Sequence, residues 1–211
     1  DFRPWYLNSP ERSTVARLIH APIIRRNPRT LEFEPGLAES YTVAADDASI
    51  TVTLRSGLRW SDGQVLDAAD VVYSANTVYL NGGIDLSAAT PVAASTWVQL
   101  DAYTFRVSTP SAFAALEELA SIVVVPEHIV RPAYEREGTV GLDALWPAAD
   151  ALKVVGTGPF RVASAATAGE LALERNPYYY EADALGTALP YLDELTLVEG
   201  YVANLVSSGT A

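Results

Sequence analysis

The chain has 211 residues, 49% of them hydrophobic and 19% charged, with 26 acidic against 14 basic side chains and a formal net charge of −12. That charge repels nucleic acid and anionic membrane at long range, and the lack of cysteine removes disulfides, zinc–thiolate sites and thiol catalysis together. A chain of this size buries roughly 70% of its unfolded surface, and it has no apolar run of the ~18 residues that a membrane span needs. With no methionine in the sequence, Asp1 is expected to be a processed or engineered end.

Apolar positions Val15, Ala16, Leu18 and Ile19, after Ser9-Pro10, predict a short helix that leads into a strand at Ile23-Ile24. Asn27-Pro28 then turns the chain. Ile50, Val52 and Leu54 alternate with Ser49, Thr51 and Thr53, so the period of two predicts a strand with one buried face. Asp46-Asp47 is read as its turn from a partner strand at 41–43, and Arg59-Trp60-Ser61-Asp62-Gly63 as a second tight turn. Asp67 with Asp70 three residues later forms an acidic variant of the capping box, opening an amphipathic helix over 68–80 that Asn81-Gly82-Gly83 ends. Residues 82–95 read as irregular, and 97–100 and 104–108 as a hairpin around Asp101-Ala102-Tyr103. Beyond it come a helix at 112–120, a short buried strand at 122–125, a helix starting at Pro126 and a helical segment over 141–152. Hairpins with intervening helices make an α+β, mixed α/β pattern and not a regular βαβ series.

Specific groups of residues narrow this further. Pro35-Gly36-Leu37-Ala38-Glu39-Ser40, Leu54-Arg55, Gly57, Trp60-Ser61-Asp62-Gly63 and Asp70-Val71-Val72-Tyr73-Ser74 follow one another in order. Downstream come Gly156-Thr157-Gly158-Pro159-Phe160, then Leu171, Leu173-Glu174-Arg175-Asn176-Pro177, Tyr178-Tyr179-Tyr180 and Pro190-Tyr191-Leu192-Asp193-Glu194-Leu195. This ordered set closely resembles family 5 extracytoplasmic solute-binding proteins, the oligopeptide, dipeptide and nickel receptors of ABC importers. Tyr41 stands where that family usually has Trp, and Leu66-Asp67 replaces the commoner Phe/Val-Thr.

The resemblance implies the lobe of a type II periplasmic-binding-protein fold. Residues of about 1–43 and 154–211 would form a core subdomain and about 44–153 an inserted subdomain of hairpins and helices. A helix expected over 201–208 would close this first lobe, and the chain stops where the crossover into a second lobe would begin. The implied function is capture of short peptides between two lobes and delivery to the membrane subunits of an ABC permease, outside the cytoplasm, by a monomer with no cofactor. Within the same scaffold the alternative is an oligosaccharide or metal-chelate receptor. From another class come a stand-alone interaction domain and, more distantly, a glycoside hydrolase. Ligand contacts are expected from the segment at Asn8–Arg12, with Glu11 near a peptide's amino group, and from Tyr79, Asn81 and Trp97 around the irregular segment, where Trp97 could stack on a ligand or pack in the core.

Catalytic and metal patterns are sparse. There is no GxSxG elbow, no HExxH frame and no GxxxxGK[ST] loop. His20 is expected near the lobe surface in place of a Tyr, in a structural or rim role. Glu181, Asp183 and Gly186 sit as in a calcium loop, but the twelfth position is Leu192 where a bidentate Glu is needed. Trp60 and the Tyr178-Tyr179-Tyr180 run read as packing residues, with exposed tyrosines of that run available to a ligand or partner.

Overall fold

The computed structural model describes residues 10–45, 48–80, 95–109, 112–145, 152–164 and 170–198, with side chains described at all of these except 10–13, 112–114, 118 and 143. The expected turn at Asp46-Asp47, the irregular segment after Leu80, Asn81 and the expected helix over 201–208 lie outside the described residues. In chain order the elements begin with α1 (Pro10–Ile19), β1 (Ile24–Arg26), β2 (Phe33–Pro35), β3 (Ala38–Val43) and β4 (Ser49–Leu54). Then come α2 (Ala68–Tyr73), a π-helix (Ser74–Leu80), β5 (Thr96–Gln99), β6 (Thr104–Ser108), α3 (Ala112–Ser121), α4 (Glu127–Glu137) and α5 (Thr139–Asp143). The antiparallel strands β7 (Phe160–Ser164), β8 (Glu170–Arg175) and β9 (Glu194–Val198) follow. The result is the mixed helix-and-sheet architecture that the sequence predicts.

The chain divides into two compact units, one formed by Pro22–Leu58 and Val65–Asp143, the other by Asp1–Ala21, Arg59–Gln64 and Ala144–Ala211. In the first, a four-stranded antiparallel sheet of order β3-β4-β6-β5 carries the core. The alternation read in β4 is realised: Ile50, Val52 and Leu54 are buried, with Val107 opposite Ile50 and Phe105 opposite Val52. Helix α3 packs on β4 and β6, and α2 on β5 and β6, so the apolar sheet face is covered by helices. A second, two-stranded sheet pairs β1 with β2. Gly36 lets β3 start against this hairpin, because a Cβ there would stand 2.4 Å from the Pro22 carbonyl oxygen.

The capping box is present as read. The Asp67 carboxylate accepts from the Ala69 amide at 2.8 Å, while the Asp70 carboxylate reaches back to the Asp67 amide at 3.1 Å. The helix that follows differs from the expectation, since α2 passes at Ser74 into seven residues of π-helix. This change of winding accompanies a second correction. Residues 122–125 are not a strand; Ile122, Val124 and Val125 are buried, but they pair with no sheet among the described residues.

Side chains of the π-helix take the place of a neighbouring strand. The Ser74 hydroxyl donates to the Asp70 carbonyl at 2.6 Å and accepts from the Val125 amide at 2.9 Å, and the Tyr79 hydroxyl donates to the Val123 carbonyl at 3.0 Å. Buried backbone groups need partners, and these hydroxyls supply them. Of the helical segment expected over 141–152, residues 146–151 lie outside the described residues; before them stands α5, Thr139–Asp143, allowed by a close approach of Gly141 to the Ala133 carbonyl, where a Cβ would stand at 2.1 Å.

In the other unit, β7, β8 and β9 form a three-stranded sheet, with α1 packed on β7. Phe160, Val162, Leu173 and Leu195 are buried along it, together with Ala16 and Ile19 from α1.

Candidate functional site

Three of the sequence motifs meet at one loop, Gly156-Thr157-Gly158-Pro159. From the Trp60-Ser61-Asp62-Gly63 turn, the Ser61 amide donates to the Gly156 carbonyl at 2.9 Å and the Ser61 hydroxyl accepts from the Gly156 amide at 3.1 Å, across 95 residues of sequence. The turn is itself closed by Gly63 donating to the Trp60 carbonyl, with Gly63 at φ +89°, and Trp60 is fully buried. From the other side, the buried Asn176 side chain donates to the Gly158 carbonyl at 2.9 Å, and the Asn176 amide donates to the Pro159 carbonyl at 2.9 Å.

The third partner is the end of α1. The Gly158 amide donates to the Ile19 carbonyl at 2.7 Å, and the buried Thr157 hydroxyl accepts from the Ala21 amide at 2.9 Å. A Cβ on Gly156 would fall 2.1 Å from the Ile19 carbonyl oxygen, and one on Gly158 would fall 2.5 Å from the Ile19 carbonyl carbon. Only glycine permits that approach. The loop is therefore a scaffold that fixes the exit of α1, the helix that contains Glu11.

His20 lies in this same junction and is buried, 5% exposed, which corrects the expected surface position. Its Nδ1 is buried with no hydrogen-bond partner among the described residues. Burial pushes the imidazole down from 6.5 to about 4. Between those values the unfolded chain carries a proton that the folded chain refuses, so stability is full above pH 6.5 and falls as pH drops toward 4. The loss reaches about 3 kcal/mol at the bottom of the window. Urea unfolding at about pH 7 and about pH 4.5, either side of the unfolded imidazole's range, compared between the wild type and His20→Leu, reads it directly: the variant is expected to lose this share of the acid sensitivity, and equal pH slopes would contradict the assignment.

Around the second expected ligand segment, the structure places Tyr79 and Trp97 inside the other unit. Trp97, in β5, is 2% exposed, stacks on Phe105 with ring centroids 5.7 Å apart and donates its indole N–H to the Ser95 hydroxyl at 2.8 Å. That is the packing role of the two weighed for it. Tyr79, on the π-helix, is also buried, and burial raises its phenol well above the usual range. Asn76 links the two elements through its side-chain amide, which donates to the Trp97 carbonyl at 3.1 Å. Asn81 lies outside the described residues, and of Glu11 only the backbone, in α1, is described.

Two functional groups of the framework escaped sequence reasoning. The Asp70 carboxylate not only completes the capping box but also accepts from the Glu127 amide at 3.0 Å, joining the starts of α2 and α4 across 57 residues. Ser74 bridges α2 and the segment before α4. A serine in the middle of an amphipathic helix pattern was the visible signal for the second; nothing local signalled the first. Among the described residues, no group of three or more His, Cys, Asp or Glu side chains is gathered to hold a metal ion, and no helix is long and apolar enough to cross a membrane.

The profile of the bacterial extracellular solute-binding proteins, family 5 (middle), matches residues 32–200 of the chain. The chain belongs to this family. Among individual relatives, a probable ABC transporter-binding protein of Deinococcus radiodurans is 27% identical over 218 residues, covering 98% of this chain and 35% of that protein. The structure of the periplasmic binding protein MelB from Agrobacterium fabrum C58 in complex with stachyose superposes with a TM-score of 0.75 at 25% identity, covering 85% of this chain and 29% of that one. The oligopeptide-binding protein AppA from Bacillus subtilis, in complex with a nonapeptide, superposes with a TM-score of 0.74 at 20% identity, covering 92% of this chain and 36% of that one. The family 5 chain thus spans about a third of the length of the relatives it matches, and its fold is that of the type II periplasmic binding proteins.

Proposed function

We propose that the chain is the first lobe of an extracytoplasmic receptor that captures a short peptide between two lobes and hands it to an ABC permease. The observation that carries this reading is the family match over residues 32–200. Closure of two lobes on a ligand removes it from water on both sides, and that enclosure supplies most of the affinity. The receptor performs no chemistry on its cargo; its work is enclosure, closure and docking.

Short peptides are the proposed cargo, on the resemblance of the sequence motifs to oligopeptide and dipeptide receptors. In the described part of the expected contact region both aromatic side chains, Tyr79 and Trp97, are buried. In this reading they hold the framework from behind, and Glu11 and Asn81 are the proposed contacts. The second reading is an oligosaccharide receptor, favoured by the stachyose complex of MelB, the relative at 25% identity.

Thermal-shift titration of the full-length protein with dipeptides, tripeptides and stachyose separates these readings. A ligand at about 100 times its Kd stabilises by about 2.7 kcal/mol, so a saturable upward shift with a tripeptide is expected, and none with stachyose. The chain 1–211 by itself is expected to show no saturable shift with any of them; a clear shift there would contradict the two-lobe requirement.

A further inference from the structure

Residues 176–193, between β8 and β9, form a built excursion that turns Leu185 and two of its tyrosines, Tyr178 and Tyr191, outward. Its base is closed by the Arg175 amide donating to the Asp193 carbonyl at 2.8 Å and by an Arg175–Asp193 ion pair. Its far part is a hairpin, with an isolated bridge between Ala182 and Ala188 and the Leu189 amide donating to the Glu181 carbonyl at 3.0 Å. At the tip, one carboxylate ties everything together. Asp183 Oδ1 accepts from the Leu185 and Thr187 amides, both at 2.8 Å, and Oδ2 accepts from the Tyr191 hydroxyl at 2.7 Å. The bond from Tyr191 is the largest influence holding the Asp183 carboxyl below its usual range, so the knuckle stays assembled and charged at neutral pH.

This tightly bonded knuckle exposes Leu185 to 92%, Tyr191 to 66% and Tyr178 to 43%. At that exposure the Leu185 side chain adds almost nothing to the packing of the fold. Side chains held outward on an ordered backbone lose little conformational entropy on association, and tyrosine is enriched at interfaces. Charge then decides the partner. Between Asn176 and Asp193 the sequence has three carboxylates, Glu181, Asp183 and Asp193, and no Lys or Arg. An anionic lipid surface attracts basic segments and repels this one. A protein face carrying Lys and Arg around an apolar recess complements it.

We infer that the Leu185–Tyr191 knuckle docks on a basic, apolar-centred face of the ABC permease. The assignment of the partner rests on the receptor reading above; the assignment of the surface rests on the knuckle's own geometry and charge. The test is photo-crosslinking in the source cells, with the full-length protein carrying a benzophenone amino acid at Leu185 or, as a control, at Val140, which is 66% exposed in the other unit. An adduct with an integral-membrane ABC subunit from position 185, several-fold above that from 140 and several-fold reduced by Glu181→Lys, is the expected result. No adduct from 185, an adduct with lipid or with a second copy, equal yields at the two positions, or indifference to Glu181→Lys would each overturn the inference. Solute binding by the same crosslinker-bearing protein, measured by the thermal shift above, keeps the two readings apart: a receptor that still binds tripeptide but crosslinks to no permease loses the docking surface alone.

Discussion

Gly156→Ala is expected to remove at least about 3 kcal/mol of stability, the range of severe overpacking and backbone displacement. The added methyl would meet the Ile19 carbonyl oxygen at 2.1 Å and the Ile19 Cγ2 at 2.7 Å, and the first of these is backbone that cannot rotate away. To make room, the end of α1 must separate from the loop, and the Ser61–Gly156 pair and the Gly158–Ile19 bond lie in the path of that movement. Gly57→Ala is the matched control. Gly57 has φ +76°, but a methyl added there would meet nothing within 4 Å, so its substitution costs only the left-handed backbone strain, about 1 kcal/mol. Urea denaturation midpoints of the two variants should differ widely, and similar midpoints would show that the loop is not the tight junction described.

Asp70→Ala comes next in size. It deletes the return half of the capping box at α2 and the acceptor for the first amide of α4 in one substitution. A lost cap costs about 1 kcal/mol, and a part-buried amide stripped of a charged acceptor about 2 kcal/mol more, for a total of about 3 kcal/mol. Asp70→Asn keeps one carbonyl oxygen and can serve one of the two amides, so about half of the loss is expected. Equilibrium unfolding followed by far-ultraviolet circular dichroism measures both. If Asp70→Ala cost no more than Asp67→Ala, which removes a cap bond at α2 alone, the link to α4 would contribute nothing.

These two positions also show what could be read from the residues. Gly156, Ser61 and Asn176 belong to motifs visible in the sequence, and in the folded chain they converge on one loop; what those motifs share with the resembled family is scaffold. The period of two in β4, the turn at Trp60–Gly63 and the capping box at Asp67 are local properties, set by residues within a few positions of one another, and all three are present. The strand expected at 122–125 is absent, and the Val123 carbonyl and Val125 amide there are satisfied by Tyr79 and Ser74, 44 and 51 positions earlier on a helix that pattern alone could not show to be π-wound. Trp97 and Tyr79 illustrate the same limit at the candidate site. A large aromatic beside an irregular segment suits a ligand platform or a core equally well in sequence, and only the partners of its ring and polar atom, here Phe105 and Ser95 for Trp97, decide between them.

If this fold is one half of a solute-enclosing receptor, the intact protein should leave its host with cargo, and native mass spectrometry of the full-length protein purified from that host reads this most directly. A non-covalent complex whose extra mass is that of short peptides, absent from the chain 1–211 treated in the same way, is the expected result. A full-length protein that leaves its host without a bound solute, and takes up none from a mixture of dipeptides and tripeptides, would contradict it.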